Sequence, residues 1–166
     1  LPTEIGRLPK LKVLDGSMNL FTGTIPYEMR DLSSLSHLSL RRNFFESDVG
    51  VVSDVGVASN AGAGADADAD AGILNGLMRL SSLRILDLGN NRLDGSFPDE
   101  WPGWNVDVAE INLDENDLTG TIPTYIGMMS SLAILSVSRN HLSGSIPSSM
   151  GLSTRLISLD LSFNGL

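Results

Sequence analysis

The sequence has 166 residues, a formal net charge of −9, 42% hydrophobic residues and no cysteine. The acidic balance argues against a nucleic-acid binder and leaves no basic face for anionic lipid. The apolar share is enough for a core. The missing cysteines exclude disulfides, cysteine-ligated zinc and a cysteine nucleophile.

The chain opens at Leu1-Pro2-Thr3-Glu4, which lacks the basic and apolar regions of a secretory leader. A first unit then follows: Leu11, Leu14, Gly16, Asn19, Phe21, Gly23, Ile25, Pro26. A weaker second copy is Leu35, Leu38, Leu40, Asn43, Phe45. The third is Leu83, Leu86, Leu88, Asn91, Leu93, Gly95, Phe97, Pro98. The fourth is Val108, Ile111, Leu113, Asn116, Leu118, Gly120, Ile122, Pro123. The fifth is Leu132, Leu135, Val137, Asn140, Leu142, Gly144, Ile146, Pro147, and the last is Leu156, Leu159, Leu161, Asn164, Leu166. Such self-similarity marks a chain of stacked units.

The alternation Leu14-x-Gly16, Leu38-x-Leu40, Leu86-x-Leu88, Ile111-x-Leu113, Leu135-x-Val137 and Leu159-x-Leu161 has the period of a strand. One short strand per unit predicts a parallel sheet built by stacking. The asparagine column, Asn19, Asn43, Asn91, Asn116, Asn140 and Asn164, falls where the chain turns away from the strand. There an amide can serve free backbone N–H and C=O groups, which leucine could not. Gly23, Gly95, Gly120 and Gly144 permit the next bend, and a proline column fixes φ where no ladder donor is needed. Two further apolar columns describe the return path: Ile5, Met29, Leu77, Trp101, Ile126, Met150, and Leu8, Leu32, Leu80, Trp104, Met129. Both tryptophans are therefore expected in the core rather than at a ligand.

The pattern L-x-x-L-x-L-x-x-N-x-L-x-G-x-I-P resembles the plant-type leucine-rich repeat of receptor-like kinase and receptor-like protein ectodomains and of polygalacturonase-inhibiting proteins. The resemblance covers nearly the whole chain except about 45–72. It implies an α/β solenoid with a curved parallel β-sheet on the concave face and short helical or irregular segments on the convex side. About six repeats of 24 residues are expected, forming a single solenoid fragment over 1–166, uncapped at both ends and continuing into further repeats. The resemblance does not choose the ligand.

Three departures from the pattern stand out. Gly16 occupies an interior leucine position, so a local void or a tighter coil is expected. One extra residue between the third and fourth units suggests a small bulge near Pro102-Gly103 or Asn105. The Leu35 and Leu83 units lie 48 residues apart, twice the period. Between them runs an Ala/Gly/Asp-rich tract, read over 45–72 as a low-complexity insert or a degenerate repeat, with the insert preferred because a coil there would have no interior leucines. Its Asp66-x-Asp68-x-Asp70 resembles the start of a calcium loop. The glycine falls one place late and Leu77 stands where the final glutamate belongs, so a solvated linker and no metal are expected.

No nucleotide-binding, zinc-protease or serine-hydrolase motif occurs, and His37 and His141 share no ligand spacing. No enzyme and no cofactor are expected of these residues. What remains is the outward side of the strands. It offers a row of polar candidates, Asp15, Ser39, Asp87, Asn112, Ser136 and Asp160, flanked by Met18, His37, Asn90, Arg139 and Phe163. Arg41 and Arg42 form its one basic cluster, and Asp114 and Glu115 its one acidic cluster. Their separation is roughly 10–15 Å if strands lie about 4.8 Å apart. A peptide carrying both charges could bridge them, with arginine forking onto a carboxylate. The expected function is thus a non-catalytic binding module for a peptide, protein or glycan, in contact with neither nucleic acid nor membrane. Resemblance places its parent at the cell surface. A secreted enzyme inhibitor and a cytoplasmic scaffold are the alternatives.

Overall fold

The computed structural model describes residues 1–47, 74, 76, 77, 80–98 and 107–166. The fold is a leucine-rich-repeat solenoid. Its main sheet is six-stranded and parallel, from β1 (Val13–Asp15), β3 (His37–Ser39), β5 (Ile85–Asp87), β6 (Glu110–Asn112), β7 (Ile134–Ser136) and β8 (Ser158–Asp160), in that order across the sheet. The register is constant: Leu14, Leu38, Leu86, Ile111, Leu135 and Leu159 align across the five interfaces. The 48-residue separation of β3 and β5 does not interrupt it, because Leu38 pairs with Leu86 directly.

A second, two-stranded sheet was not foreshadowed by the repeat pattern. Here β2 (Thr22–Thr24) pairs in parallel with β4 (Phe44–Glu46), and isolated bridges Glu46–Arg92, Ser96–Thr119 and Ser143–Gly165 carry the pairing along the stack. This moves the start of the insert. Phe45 is fully buried, and the Ser47 hydroxyl donates to the Asp94 carbonyl at 2.9 Å. Residues 45–47 are therefore part of a coil. The rest of the tract, with Asp66, Asp68 and Asp70, lies outside the described residues, as do both tryptophans and the extra residue near Pro102.

On the return path, 3-10 helices span Thr3–Arg7, Tyr27–Asp31, Thr124–Met128 and Ser148–Leu152. Each follows a proline whose φ lies between −59° and −76°, a value that proline presets for a helical start. Neighbouring helices pack through glycine. A Cβ placed on Gly127 would stand 2.2 Å from the Ser149 carbonyl carbon, and one on Gly6 would stand 2.4 Å from the Glu28 carbonyl oxygen. Among the described residues no helix is long and apolar enough to cross a membrane.

The interior is a column of leucines. Leu38, Leu86, Ile111, Leu113 and Val137 have no exposed surface. Burying each such side chain contributes about 1.5–3 kcal/mol. The void expected at Gly16 does not exist. The Phe21 ring and a Leu40 methyl group both come within 3.2 Å of where its Cβ would be, and Phe21 packs on Phe45 with centroids 5.9 Å apart. Larger neighbours have closed over the missing side chain.

The asparagine column performs the expected task. Asn116 Nδ2 donates to the carbonyls of Leu113 (3.1 Å) and Leu88 (3.1 Å), and its Oδ1 accepts from the Leu93 N–H at 3.0 Å. Two of these three groups belong to the preceding coil, so the amide both closes its own turn and ties adjacent turns. Asn43, Asn91, Asn140 and Asn164 repeat the pattern. Asn91 reaches the Leu40 carbonyl at 3.0 Å, which is the same inter-coil tie made across the doubled spacing.

Candidate functional site

The concave face displays four columns of side chains, and hydrogen bonding inside it separates structural members from available ones. The column Asp15, Ser39, Asp87, Asn112, Ser136, Asp160 is in strict register. Most of its members cap the turn that ends their own strand. Asp15 Oδ1 accepts from the Ser17 N–H at 2.9 Å, Asp87 Oδ1 from Gly89 at 3.1 Å, Asn112 Oδ1 from Asp114 at 3.0 Å, and Asp160 Oδ1 from Ser162 at 3.0 Å. An acceptor two residues before an N–H is the local bond that Asp and Asn side chains favour.

Ser136 breaks this series, having a hydroxyl where its neighbours carry a carboxylate or amide. The acceptor is supplied from the preceding coil instead. Asp114 Oδ1 accepts the Ser138 N–H at 2.7 Å, and the same carboxylate accepts the hydroxyls of Ser136 at 2.7 Å and Ser138 at 3.0 Å. Asp114, one half of the acidic cluster, is thus a cross-strand cap whose Oδ1 carries most of the bonds. Glu115, the other half, accepts from the Asn90 amide.

The basic cluster divides as well. The Arg41 guanidinium lies over Gly89 and approaches Asp87 at 3.8 Å, whereas exposed Arg42 makes no ion pair among the described residues. Burial pushes the Asp87 carboxyl above its ordinary range, opposed by the Gly89 N–H and by Arg41 and assisted by Asp114 and Asp15. The Ser17 hydroxyl and N–H hold Asp15 low, and those of Ser162 hold Asp160 low. Further along the sheet, the Arg139 guanidinium stacks over the exposed Phe163 ring at 4.4 Å. His37 Nδ1 sits 2.8 Å from the Ser36 hydroxyl, away from the charged centre.

The fourth column is Met18, Arg42, Asn90, Glu115, Arg139, Phe163. Every one of its members is left-handed, with φ between 53° and 59°. Only Asn90 has a residue type that signals this conformation. Five of them, Met18, Arg42, Asn90, Glu115 and Arg139, donate their N–H to a carbonyl of the following coil at 2.7–2.9 Å, and Phe163 keeps the same conformation without such a bond among the described residues. The side chains of those five are thereby held at fixed spacing.

The structure therefore brings Arg41, Asp87, Asn90, Asn112, Asp114 and Glu115 into one central patch on β3, β5 and β6. Asp15 and Met18 lie at one end of the sheet, Phe163 at the other, and Arg139 one coil inside it. Gly89, at the middle of the patch, carried no signal except that it interrupts a column of side chains.

Comparison with known proteins agrees with this architecture. The Leucine Rich Repeat family matches residues 82–104 and 131–152. Receptor-like protein 39 of Arabidopsis thaliana is 33% identical over 139 residues, covering 81% of this chain and 15% of that protein. Among solved structures, the ectodomain of the Arabidopsis receptor kinase HAESA, in complex with an extended IDA peptide hormone, superposes with a TM-score of 0.76. It is 31% identical and covers 98% of this chain and 23% of that one. A plant ice-binding protein superposes with a TM-score of 0.73 at 27% identity, covering 99% of this chain and 44% of that one. The chain has the leucine-rich-repeat fold and is similar to the plant-type repeats of receptor-like ectodomains. It spans 15% of the length of the curated relative above.

Proposed function

We propose that this chain is a ligand-binding segment of a receptor-like ectodomain displayed at the cell surface, and that it recognises a peptide or a peptide segment of a protein on its concave face. The observation that carries this reading is the central patch. Its side chains are held in register by backbone pairing and by bonds among themselves, yet Arg42 and Glu115 remain exposed on either side of Asn90. Such preorganisation lowers the entropy lost on binding. The peptide complex of the HAESA ectodomain supports the same class of ligand. A glycan is disfavoured because β3, β5, β6 and β7 present no outward aromatic ring on which a sugar could stack.

The test is capture. The immobilised chain is exposed to soluble peptides and proteins of its source beside an Arg42→Glu/Glu115→Lys variant, both checked for intact folding by circular dichroism. Asp87 and Asp114 are left alone because they hold turns. The expected result is a partner retained by the wild type and lost by the variant. Equal retention by both would remove the concave face from consideration.

A further inference from the structure

The first outward column of the sheet, at the opposite end of the strands from the charged patch, reads Val13, His37, Ile85, Glu110, Ile134, Ser158. His37 is exposed and stands in register with Val13 on one side and Ile85 on the other. One polar ring thus sits between two aliphatic side chains, each one strand spacing, about 4.8 Å, away. Val13 is 57% exposed, so apolar surface beside the ring is uncovered.

The ring is polarised by the residue before it. The Ser36 hydroxyl donates to the Lys12 carbonyl at 2.9 Å and lies 2.8 Å from His37 Nδ1. A hydroxyl has one hydrogen to give. With that hydrogen on Lys12, the serine oxygen can only accept from the ring. Both contacts therefore hold together only when Nδ1 carries the ring proton. Neutral His37 is then the tautomer whose Nε2 is an acceptor, and Nε2 makes no hydrogen bond among the described residues.

We infer that His37 is a specificity residue of the concave face, and that its Nε2 accepts from the indole N–H of a tryptophan side chain of the ligand. Indole is a flat apolar ring with one donor at its edge and no acceptor, so it can rest on Val13 or Ile85 while it donates to His37. A tyrosine hydroxyl both donates and accepts and is read less sharply. A cationic donor would shed water over two aliphatic side chains. The inference rests on the concave-face reading above and adds a specificity to it.

Protonation supplies an independent readout. It turns Nε2 into a donor without disturbing the Ser36 contact, so two N–H groups would then face each other. The charged groups around the ring are Asp15 and Asp87 on the flanking strands, Lys12 and Arg84 just before those strands, Arg41 on the His37 coil and Glu110 one strand beyond Ile85. Because some of these also titrate, the readout is the difference between two probes that respond to them equally.

The probes are N-acetyl-tryptophanamide and its 1-methylindole analogue, which keeps the ring and lacks its N–H. Each is titrated into the isotopically labelled chain while the His37 ring signals are followed by NMR. At about pH 8 the free chain should show the Nδ1-protonated tautomer. There the parent probe should bind at least about threefold more tightly than the analogue, and at about pH 5 the difference should vanish. Ser36→Ala should release the tautomer and shrink the preference. His37→Gln, whose amide oxygen accepts in both conditions, should keep the preference and lose its pH dependence. An Nε2-protonated ring in the free chain, equal affinities at the higher pH, or a preference that survives at the lower one would overturn the inference. The wider reading fails separately. If His37→Leu still captures the partner that Arg42→Glu/Glu115→Lys loses, the face binds and His37 does not contribute.

Discussion

Asn116 and Asn19 occupy the same position of the same repeat and live in different environments. Asn116 is 6% exposed and serves backbone groups in its own coil and in the coil before it. Asn19, in the first coil, is exposed and donates only to Gly16 and Ser17 of its own turn. The leucines tell the same story: Ile111 and Leu135 are at most 1% exposed, while Leu159 of the last strand is 41% exposed. A repeat residue thus has no fixed energetic value. Its worth comes from having a neighbour on each side, as expected when stability is a sum of unit and interface contributions.

The largest expected effect separates those two asparagines. Asn116→Ala leaves the buried Leu93 N–H without a partner and removes one of two amide donors from each of the Leu88 and Leu113 carbonyls, and should destabilise the chain by about 2–3 kcal/mol in urea denaturation. Asn19→Ala should cost less than about 1 kcal/mol, because water can take over both of its acceptors. Equal costs would break the comparison.

The glycines of the return path sharpen it on the opposite side of the coil. Gly127 is pressed against Ser149, whereas nothing lies within 4 Å of a Cβ on Gly151, its equivalent one repeat later. Gly127→Ala should cost about 2–3 kcal/mol through overpacking against backbone. Gly151→Ala should be neutral or stabilising by about 0.5 kcal/mol, from reduced freedom of the unfolded chain. Thermal melts of the two variants decide this, and a costless Gly127→Ala would contradict the observed packing of the 3-10 helices.

Much of this was legible because the leucine, asparagine, glycine and proline columns each have a single physical job that only that residue type performs well. The limits were equally physical. The void expected at Gly16 assumed rigid neighbours, and Phe21 and Leu40 filled it. The second sheet, β2 with β4, is formed by Thr22–Thr24 and Phe44–Glu46, whose side chains share no common pattern. At every position but Phe163 the left-handed column is held by hydrogen bonds to the following coil, so methionine, arginine and glutamate adopt a conformation their identities do not announce. At the candidate site the charged residues were visible and their roles were not. Asp114 looked like a ligand-facing acid and is a cap, because Ser136 in the next strand cannot cap its own turn. Gly89 was invisible since its contribution is the absence of a side chain.

The same scaffold superposes on a peptide-hormone receptor and on an ice-binding protein, so only the surface can identify a function. The central claim is that the middle of the stack is both the most firmly held part and the binding surface. Hydrogen–deuterium exchange of the chain, alone and with a captured partner, tests both halves at once. Exchange should be slowest at β5 and β6 in the free chain and faster at β1 and β8, and the partner should slow it further at residues 87–90 and 112–115. Uniform exchange across the six strands, or a partner footprint confined to the 3-10 helices of the convex side, would contradict the account.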